Sequence, residues 1–420
     1  MKRTILFLTF TLLFHIHLWS QWTQVNSFPA VYVKDVISSG SILYAGSYGT
    51  GIYKSTDASE TWVQVNNGLI TTQSRNVNQL LLTGTILYSA SDDGIYKSTD
   101  GGSNWVKKST GLIVGGGALY LFTESIFENN GVLFTGAYTG IYRSTDGSES
   151  WQVTNISGSA VMAQFFINHN GIMFAARETN NMPYSYTSSD GGSVWSELNN
   201  INFPTITYLS EGSVLWAGTI DGVWLSTNNG STWFERNNGL SADPYSSSIL
   251  RVNGTLITSL KFGGSGVYRS SNNGLNWENI GTGLPFLSSI EKLLVYNNKL
   301  IAATSQGLFQ RDLSEIVLGI ANENSNLPQA YRLYQNYPNP FNPSTKIKFD
   351  VPEISLNKES PLTLKIYDAL GKEISVLVNG RISPGAHEVN WDASKFPSGI
   401  YYYKLESSDY SESRKMILIK

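Results

Sequence analysis

Serine, aspartate and tryptophan recur together along this chain in a fixed order, and such side chains can either bind a ligand or shape a turn. The recurring segment opens with glycine and two apolar or aromatic residues, continues through Ser-Thr-Asp and a glycine-rich turn, and ends on tryptophan. Six copies, which we call boxes, are present: Gly51–Trp62 (GIYKSTDASETW), Gly94–Trp105 (GIYKSTDGGSNW), Gly140–Trp151 (GIYRSTDGSESW), Tyr184–Trp195 (YSYTSSDGGSVW), Gly222–Trp233 (GVWLSTNNGSTW) and Gly266–Trp277 (GVYRSSNNGLNW).

The aspartate of a box could ligate calcium or a substrate, or it could hold a hairpin by accepting hydrogen bonds from nearby backbone amides. The last two boxes favour the second role, because asparagine replaces aspartate there and makes the same turn bonds without the charge. Glycine then supplies positive φ, and the tryptophan packs under the turn. The predicted structural residues are Asp57, Trp62, Asp100, Trp105, Asp146, Trp151, Asp190, Trp195, Asn228, Trp233, Asn272 and Trp277.

The boxes resemble the Asp-box (BNR) repeats of sialidase-like β-propellers. That resemblance implies three arginines around a substrate carboxylate, a tyrosine–glutamate pair, an aspartate and an early Arg-Ile-Pro segment, but this sequence has no Arg-Ile-Pro. Arg143 and Arg269 occupy the box position of Lys54 and Lys97, so we expect them to be solvated strand residues. No motif ties together three of the remaining arginines, which are Arg75, Arg177, Arg236, Arg251 and Arg311. Sialidase activity is therefore not predicted.

Single propellers with this repeat also resemble the photosystem II assembly factor, which is a helper and not an enzyme. The resemblance covers the repeats only, and the export signals described below indicate a different setting, so its function is not transferred.

A different glycosidase would need two carboxylates on either side of the bond to be cut. Asp93 and Asp221 are the candidates, since each precedes a glycine in a turn that faces the ligand side of a propeller. Aspartate before glycine is also ordinary turn chemistry, and we favour that interpretation. Propeller enzymes that cut glucans often use two propellers, whereas the repeats of this chain predict only one propeller.

Other chemistries have little support in the sequence. Cysteine is absent, and only His169 and His387 lie beyond the N-terminal segment, so no metal site or cofactor is predicted. Gly115–Gly117 is not followed by the Gly-Lys-Ser/Thr that a phosphate-binding loop requires. The net charge is −3 and no basic patch is present, which argues against nucleic acid.

The spacing of the boxes indicates the architecture that positions these residues. Successive box tryptophans are 43, 46, 44, 38 and 44 residues apart, and a period of about 40 to 45 residues with several short strands is typical of a propeller blade. In the second period we predict four strands, at Asn78–Leu82, Ile86–Ala90, Gly94–Ser98 and Trp105–Lys108. The boxes then lie between third and fourth strands, on the face opposite the usual ligand-bearing loops.

The number of blades follows from the two ends of the repeat region. Ile290–Gln310 supplies three further strands but no tryptophan strand, whereas Trp22–Val25 matches Trp62–Val65. We therefore expect the N-terminal strand to complete the last blade, which removes an open sheet edge. The sequence predicts an all-β fold with a seven-bladed β-propeller.

The first 21 residues are predicted to be a signal peptide. Basic residues open the segment, Thr4–Leu18 is apolar, and Ser20 is a small residue suited to cleavage before Gln21. An uncleaved anchor is the alternative, but the apolar stretch is shorter than the roughly 20 residues that span a bilayer, and two histidines interrupt it. We expect no transmembrane anchor in the mature chain.

The last 90 residues differ from the repeats. Tyr331–Thr345 (YRLYQNYPNPFNPST), LKIYDALGKEISVLV, GAHEVNWDAS, SGIYYYKL and the terminal KMILIK resemble the type A sorting domain of type IX secretion in the Bacteroidetes group. Alternating strands and prolines predict a small Ig-like β-sandwich. The resemblance implies recognition by the outer-membrane machinery, usually with cleavage and with release or attachment of the cargo to surface lipopolysaccharide. An accessory Ig-like carbohydrate module is the alternative.

These observations divide the chain into four predicted parts: a signal peptide (1–21), a propeller (22–316), a linker (317–330) and a C-terminal sorting domain (331–420). We expect a protein that is secreted or held on the outer cell surface after passing through the periplasm. Its partners would be the type IX machinery and an extracellular glycan or protein. The candidate ligand residues on the loops are Tyr48, Asp93, Tyr138, Arg177, Asp221 and Phe262. A glycan-degrading enzyme and an assembly or stability factor for a surface complex stay open as alternatives.

Overall fold

The computed structural model describes residues 21–29, 31–115, 119–156, 162–177, 185–261, 266–286, 288–317, 331–351, 362–380, 385–407 and 410–420. All but the last residue of the predicted signal peptide and all but the first residue of the predicted linker lie outside these ranges. The described residues form nine β-sheets, seven of them in one compact unit and two in a second unit.

Each of the seven N-terminal sheets is an antiparallel meander that we call a blade. Blade 1 contains β2 (Val33–Ser39), β3 (Ile42–Ser47), β4 (Gly51–Ser55) and β5 (Val63–Gln64). Blade 2 contains β6 (Val77–Thr83), β7 (Ile86–Ser91), β8 (Gly94–Ser98) and β9 (Val106–Lys107), and blade 3 contains β10 (Thr123–Asn129), β11 (Val132–Ala137), β12 (Gly140–Ser144) and β13 (Gln152–Val153). Blade 4 contains β15 (Phe165–His169), β16 (Ile172–Ala176), β17 (Ser185–Ser188) and β18 (Val194–Glu197), with β14 (Asn155–Ile156) parallel to β18.

The remaining blades follow the same plan. Blade 5 contains β19 (Thr205–Glu211), β20 (Val214–Thr219), β21 (Gly222–Ser226) and β22 (Phe234–Glu235), and blade 6 contains β23 (Ser246–Val252), β24 (Thr255–Leu260), β25 (Gly266–Ser270) and β26 (Glu278–Asn279). Blade 7 contains β27 (Ile290–Tyr296), β28 (Lys299–Thr304), β29 (Gly307–Asp312) and β1 (Thr23–Gln24). Two short helices accompany the blades, a 3₁₀ turn at Gln73–Arg75 and α1 at Leu313–Ile316.

The blades close into a ring. The first strand of every blade contacts the first strand of the next, and β27 of blade 7 contacts β2 of blade 1. The seven first strands therefore surround a central channel, and the fold is the seven-bladed propeller that the repeat spacing predicts.

The N-terminal strand completes the last blade, as the sequence predicts. Thr23 pairs with Gln310 and Gln24 with Phe309. Trp22 is buried, and its backbone amide donates to the Thr282 carbonyl at 2.8 Å. Blade 7 thus joins residues from both ends of the repeat region, which leaves no open sheet edge at the closure of the ring.

The apolar core lies between adjacent blades. One cluster combines Tyr44 and Ile52 of blade 1 with Leu87, Tyr96 and Trp105 of blade 2. Because each blade alone is a small sheet with both faces exposed, the ring becomes stable only when neighbouring blades cover these faces.

The second unit is a β-sandwich, in agreement with the sequence prediction. One sheet contains β30 (Arg332–Leu333), β31 (Ser344–Val351) and β34 (Gly385–Asp392), and the other contains β32 (Leu362–Tyr367), β33 (Glu373–Gly380), β35 (Gly399–Glu406) and β36 (Ser411–Leu418). Buried and exposed side chains alternate along β31, so Ile347, Phe349 and Val351 enter the core while Lys346 and Lys348 stay outside. The Tyr337–Pro338 and Asn339–Pro340 bonds are cis.

Candidate functional site

The box turns are held by their own side chains. In the second box, Asp100 Oδ1 accepts from Ser98 Oγ at 2.8 Å and from the Asn104 amide at 2.9 Å, while Asp100 Oδ2 accepts from Asn104 Nδ2 at 2.7 Å. Gly102 has φ of 87°, and its amide donates to Ser98 Oγ at 2.9 Å. Both carboxylate oxygens of this aspartate are therefore used within the turn.

Asparagine makes the same turn in the sixth box. Asn272 Oδ1 accepts from Ser270 Oγ at 2.9 Å and from the Asn276 amide at 3.0 Å. The turn therefore needs an acceptor at this position but does not need a charge. These bonds support the structural role predicted for the boxes, and the described residues contain no cluster of three or more histidine or acidic side chains that could hold a metal ion.

The hydrogen bonds also change the acidity of the box aspartates. The Asn104 side chain and amide, together with Ser98, lower the pKa of Asp100 to about 2. Analogous bonds lower the pKa of Asp57, Asp146 and Asp190 below the usual value of an aspartate. The ionised form is therefore stabilised in each of these turns.

Three box tryptophans donate their indole N–H to a carbonyl of the preceding blade, namely Trp105, Trp151 and Trp277. Trp105 Nε1 donates to the Val65 carbonyl of the preceding blade at 2.8 Å, and its backbone amide donates to the Asn67 carbonyl at 2.8 Å. A Cβ on Gly68 would lie 2.0 Å from the Trp105 carbonyl oxygen, so a larger residue cannot occupy that position without a shift of the backbone. Trp22 repeats this pattern at the ring closure, with Nε1 donating to the Ile280 carbonyl at 2.9 Å.

The basic residues of the boxes are engaged, and the expectation that they are solvated is wrong. Lys97 Nζ donates to the Gly147 carbonyl in the next blade's box at 2.9 Å, and Arg143 Nη1 donates to Ser193 Oγ in the box after that. Arg269 Nη1 reaches the Ile316 carbonyl at 2.6 Å. A strand position that looks solvent-exposed within one blade is covered by its neighbour in the ring.

The opposite end of the propeller, which we call the loop face, carries the turns between second and third strands and the segments that enter the first strands. Asp93 lies there, but its carboxylate accepts from Tyr96 Oη at 2.6 Å, Thr71 Oγ1 at 3.2 Å and Lys107 Nζ at 2.7 Å. Burial and Asp93 raise the pKa of Tyr96. Asp93 thus ties its turn to the side chains around it.

The other predicted loop residues do not converge with Asp93. Burial and the nearby Glu235 raise the pKa of Asp221, which lies in blade 5, whereas Asp93 lies in blade 2. Tyr138 is 49% exposed in blade 3, and Arg177 is half-buried directly after β16. Phe262 lies outside the described residues.

Tyr48 is the predicted loop residue with the most developed surroundings. Its side chain is 45% exposed, while its hydroxyl donates to Asp92 Oδ2 at 3.2 Å. Asp92 is 4% exposed and also accepts from Asn76 Nδ2 at 2.8 Å and from Asn78 Nδ2 at 3.0 Å. Burial and then Asp92 raise the pKa of Tyr48. The result is an aromatic ring that is held by its polar end and open on the loop face.

Asn78, which donates to Asp92, also lines a cavity of about 280 Å³ at this end of the channel. In six blades the first strand carries a register shift at its second residue, which places one extra side chain at this end of the channel. These side chains, with Gln164 of blade 4, line the cavity, and we call them the mouth ring: Lys34, Asn78, Glu124, Gln164, Ile206, Ser247 and Glu291.

Side chains directly after three of these shifts connect their blade to the next. Asp35 Oδ2 accepts from the Leu80 amide at 2.7 Å, and Gln79 Oε1 accepts from the Ile126 amide at 2.7 Å. Ser248 Oγ accepts from the Leu293 amide at 3.2 Å. Side chains below the mouth ring therefore stabilise the ring of blades, and the mouth ring lies above them.

Sequence reasoning missed the mouth ring and Asp92. The repeat spacing was the available signal, since aligning the periods places the mouth-ring residues at one position near the start of each first strand. Their types differ from blade to blade, so no motif marks them, and only the closed ring brings them together.

The C-terminal unit matches a known family model, the secretion system C-terminal sorting domain, over residues 335–420. The type IX sorting domain inferred from the sequence is thereby confirmed. Within the described residues, the structure has no helix with the length and apolar character needed to cross a membrane.

Comparison with solved structures shows propeller folds. YCF48 bound to D1 peptide is similar at 15% identity and a TM-score of 0.52, covering 70% of this chain and 96% of that one. The GH74 xyloglucanase from Xanthomonas campestris is similar at 14% identity and a TM-score of 0.56, covering 86% of this chain. The GH74 enzyme from Niastella koreensis is similar at 15% identity and a TM-score of 0.53, covering 79% of this chain. The present chain spans 63% and 59% of the two GH74 chains, respectively.

A comparison with curated proteins found no match. At such low identities the structural neighbours establish the fold alone, whereas the family match identifies the C-terminal domain. Taken together, these findings identify the chain as a β-propeller that carries a type IX secretion sorting domain and is secreted to the cell surface.

Proposed function

We propose that this protein binds an extracellular glycan on its loop face, over the mouth of the channel. The observation that carries the proposal is Tyr48, whose ring is 45% exposed while its hydroxyl is held by the buried carboxylate of Asp92. Asn76 and Asn78 hold that carboxylate in turn. An exposed aromatic ring with a fixed orientation is suited to stacking, because little side-chain freedom is lost when a ligand binds.

The groups around Tyr48 suit a sugar. The Tyr32 ring lies 6.1 Å from the Tyr48 ring at an angle of 45°, and its hydroxyl donates to Glu291 of the mouth ring at 2.8 Å. Aromatic faces pack against the C–H faces of sugar rings, while amide, hydroxyl and carboxylate groups such as those of the mouth ring bond sugar hydroxyls. The xyloglucanase among the structural neighbours is consistent with a carbohydrate ligand on this fold.

The hydrogen bonds and positions of the two predicted carboxylates, Asp93 and Asp221, favour binding over cleavage. Glycoside hydrolysis requires two carboxylates about 5 to 9.5 Å apart across the scissile bond. Asp93 accepts hydrogen bonds from Tyr96, Thr71 and Lys107, and Asp221 belongs to a blade that is not adjacent. Neither residue supports a catalytic pair.

The test is a screen of the purified protein against glycans and polysaccharides, scored for both binding and cleavage. We expect binding without cleavage, and we expect Tyr48→Ala to weaken it by about tenfold or more because the stacking face is removed. The matched control is Tyr402→Ala, since Tyr402 is 40% exposed in the C-terminal sandwich. Isothermal titration calorimetry on all three proteins provides the comparison.

Equal glycan affinities of the wild type and Tyr48→Ala would show that the glycan does not bind at Tyr48 on the loop face. Release of reducing sugar in the screen would show that the protein is a glycan-degrading enzyme and not only a binding protein. Binding of a peptide library in place of every glycan would show that the ligand is a protein.

A further inference from the structure

The cavity at the channel mouth contains six charged side chains. Three are cations, namely Lys34, Lys261 and Lys292, and three are acids, namely Asp35, Glu124 and Glu291. The formal charges cancel, so the lining does not attract one sign of charge as a whole. The groups available to a ligand are therefore those that have no partner within the protein.

Two of the acids are paired with two of the lysines. Asp35 Oδ1 lies 2.5 Å from Lys292 Nζ, while its other oxygen accepts from the Leu80 amide. Glu291 Oε2 lies 3.5 Å from Lys261 Nζ, and Glu291 Oε1 accepts from Tyr32 Oη at 2.8 Å. These four charges are compensated within the protein.

Lys34 differs from the other five groups. It forms no ion pair with another described residue, and its Nζ lies 5.6 Å from the centre of the Tyr32 ring. Glu124 is not available in the same way, because it already has an interaction partner within the protein. Lys34 is therefore the charge in the mouth ring that is available to a ligand.

Two neutral side chains of the lining, Gln79 and Ser248, also keep hydrogen-bond donors for the cavity. Gln79 uses its Oε1 to accept from the Ile126 amide, which leaves its Nε2 to donate. Ser248 Oγ accepts from the Leu293 amide, so its hydroxyl hydrogen can donate. A ligand group rich in oxygen acceptors and carrying a negative charge matches this arrangement.

From these contacts we infer that the channel mouth binds the carboxylate of an acidic sugar residue, with Lys34 as its ion-pair partner. This inference rests on the proposed glycan-binding function and specifies its ligand. Asn78, whose Nδ2 is occupied by Asp92 and by the Thr123 carbonyl, keeps its Oδ1 for a sugar hydroxyl. The cavity of about 280 Å³ lies below the usual range of about 300 to 1,000 Å³ for drug-sized ligands, so it admits a single sugar residue presented at a chain end.

The experiment compares acidic and neutral sugars on the full protein by calorimetry. The probes are oligogalacturonate and glucuronate, their neutral counterparts oligogalactose and glucose, and acetate as a carboxylate without a sugar. We expect the acidic oligosaccharide to bind about tenfold more tightly than the neutral one, with an affinity that falls as salt is added. Lys34→Gln should abolish that preference, and Lys34→Arg should retain most of it.

Lys299→Gln is the control, because Lys299 begins β28 at the opposite end of the propeller. Equal binding of acidic and neutral oligosaccharides would overturn the inference while leaving the glycan-binding function intact. Binding of neither class would contradict both the inference and the proposed glycan-binding function. Binding of acetate as tight as that of glucuronate would show that the site does not recognise a sugar. If Lys34→Gln does not fold, the salt dependence and the Lys34→Arg variant decide the question.

Discussion

The two ends of the propeller use their side chains in opposite ways. On the box face the same residue types recur in blade after blade, and both oxygens of an aspartate such as Asp100 are used within its own turn. On the loop face the mouth ring holds a different residue type in almost every blade, and Lys34 keeps a charge that no described residue pairs. The residue types that recur from blade to blade therefore stabilise the fold, whereas the residue types that vary between blades include the groups available to bind a ligand.

The largest expected effect is on the box face, in the variant Trp105→Ala. Trp105 is 3% exposed, packs between blades 1 and 2, and donates to the Val65 carbonyl. Its removal leaves a large cavity and an unpaired carbonyl, so we expect the free energy of unfolding to fall by about 3 to 5 kcal/mol in urea titrations. Trp105→Phe should lose much less, and glycan affinity of the folded protein should not change in either variant.

An unchanged unfolding midpoint for Trp105→Ala would mean that the box tryptophans do not join the blades. Loss of glycan affinity in a folded Trp105→Phe variant would contradict the separation of the two faces.

A smaller effect is expected below the mouth ring, in the variant Asp35→Asn. The amide can still accept from the Leu80 backbone but no longer pairs with Lys292, whose side chain is 34% exposed and so remains partly hydrated. We expect a loss of about 2 kcal/mol in the free energy of unfolding, measured by urea titration. Disrupting the exposed Lys346–Glu388 pair of the sandwich by Lys346→Gln is the control and should have a smaller effect.

A double-mutant cycle with Lys292→Met separates the pair from its surroundings. Independent effects of the two substitutions would show that the Asp35–Lys292 contact does not stabilise the closure between blades 7 and 1.

The smallest effect is expected for Asp100→Asn, because Asn272 makes the same turn in the sixth box. The folded pKa of Asp100 is lowered to about 2 from an ordinary value of 3.8. The ionised group therefore contributes stability above about pH 4, and that contribution is lost as the pH falls toward 2. The difference in melting temperature between the wild type and Asp100→Asn should shrink across this interval, as measured by circular dichroism.

A difference that stays constant from pH 5 to pH 2 would show that the charge of Asp100 is not part of the turn's stability. The matched variant Asn272→Asp adds the charge to the sixth box and should acquire the pH dependence that Asp100→Asn loses.

Several features of the fold could be predicted because they depend on local chemistry. A glycine-rich turn, a preceding Ser-Thr-Asp and a following tryptophan set each hairpin, and their spacing predicts the blades. The predicted strands of the second period agree closely with β6 to β9, except that the last strand starts at Val106, because the Trp105 amide donates to the preceding blade. The signal peptide and the domain boundaries remain predictions.

The contacts between blades could not be predicted in the same way. Lys97, Arg143 and Arg269 look like exposed strand positions when one blade is considered alone, yet each reaches beyond its own blade. The mouth ring poses the same difficulty, since its members are separated by tens of residues and only Glu124 and Glu291 share a residue type. Asp92 was passed over because an Asp-Asp-Gly segment is indistinguishable from an ordinary turn.

The sequence by itself determined the repeat, the number of blades, the strand that closes the ring and the C-terminal sorting domain, because each depends on residues that are near one another in the chain or match a specific motif. The tertiary structure alone decided which charges are compensated and which remain available, because pairing between adjacent blades depends on side chains that meet only when the ring closes. The position of Lys34 beside Tyr32, above the paired Asp35 and Lys292, is a property of the closed ring.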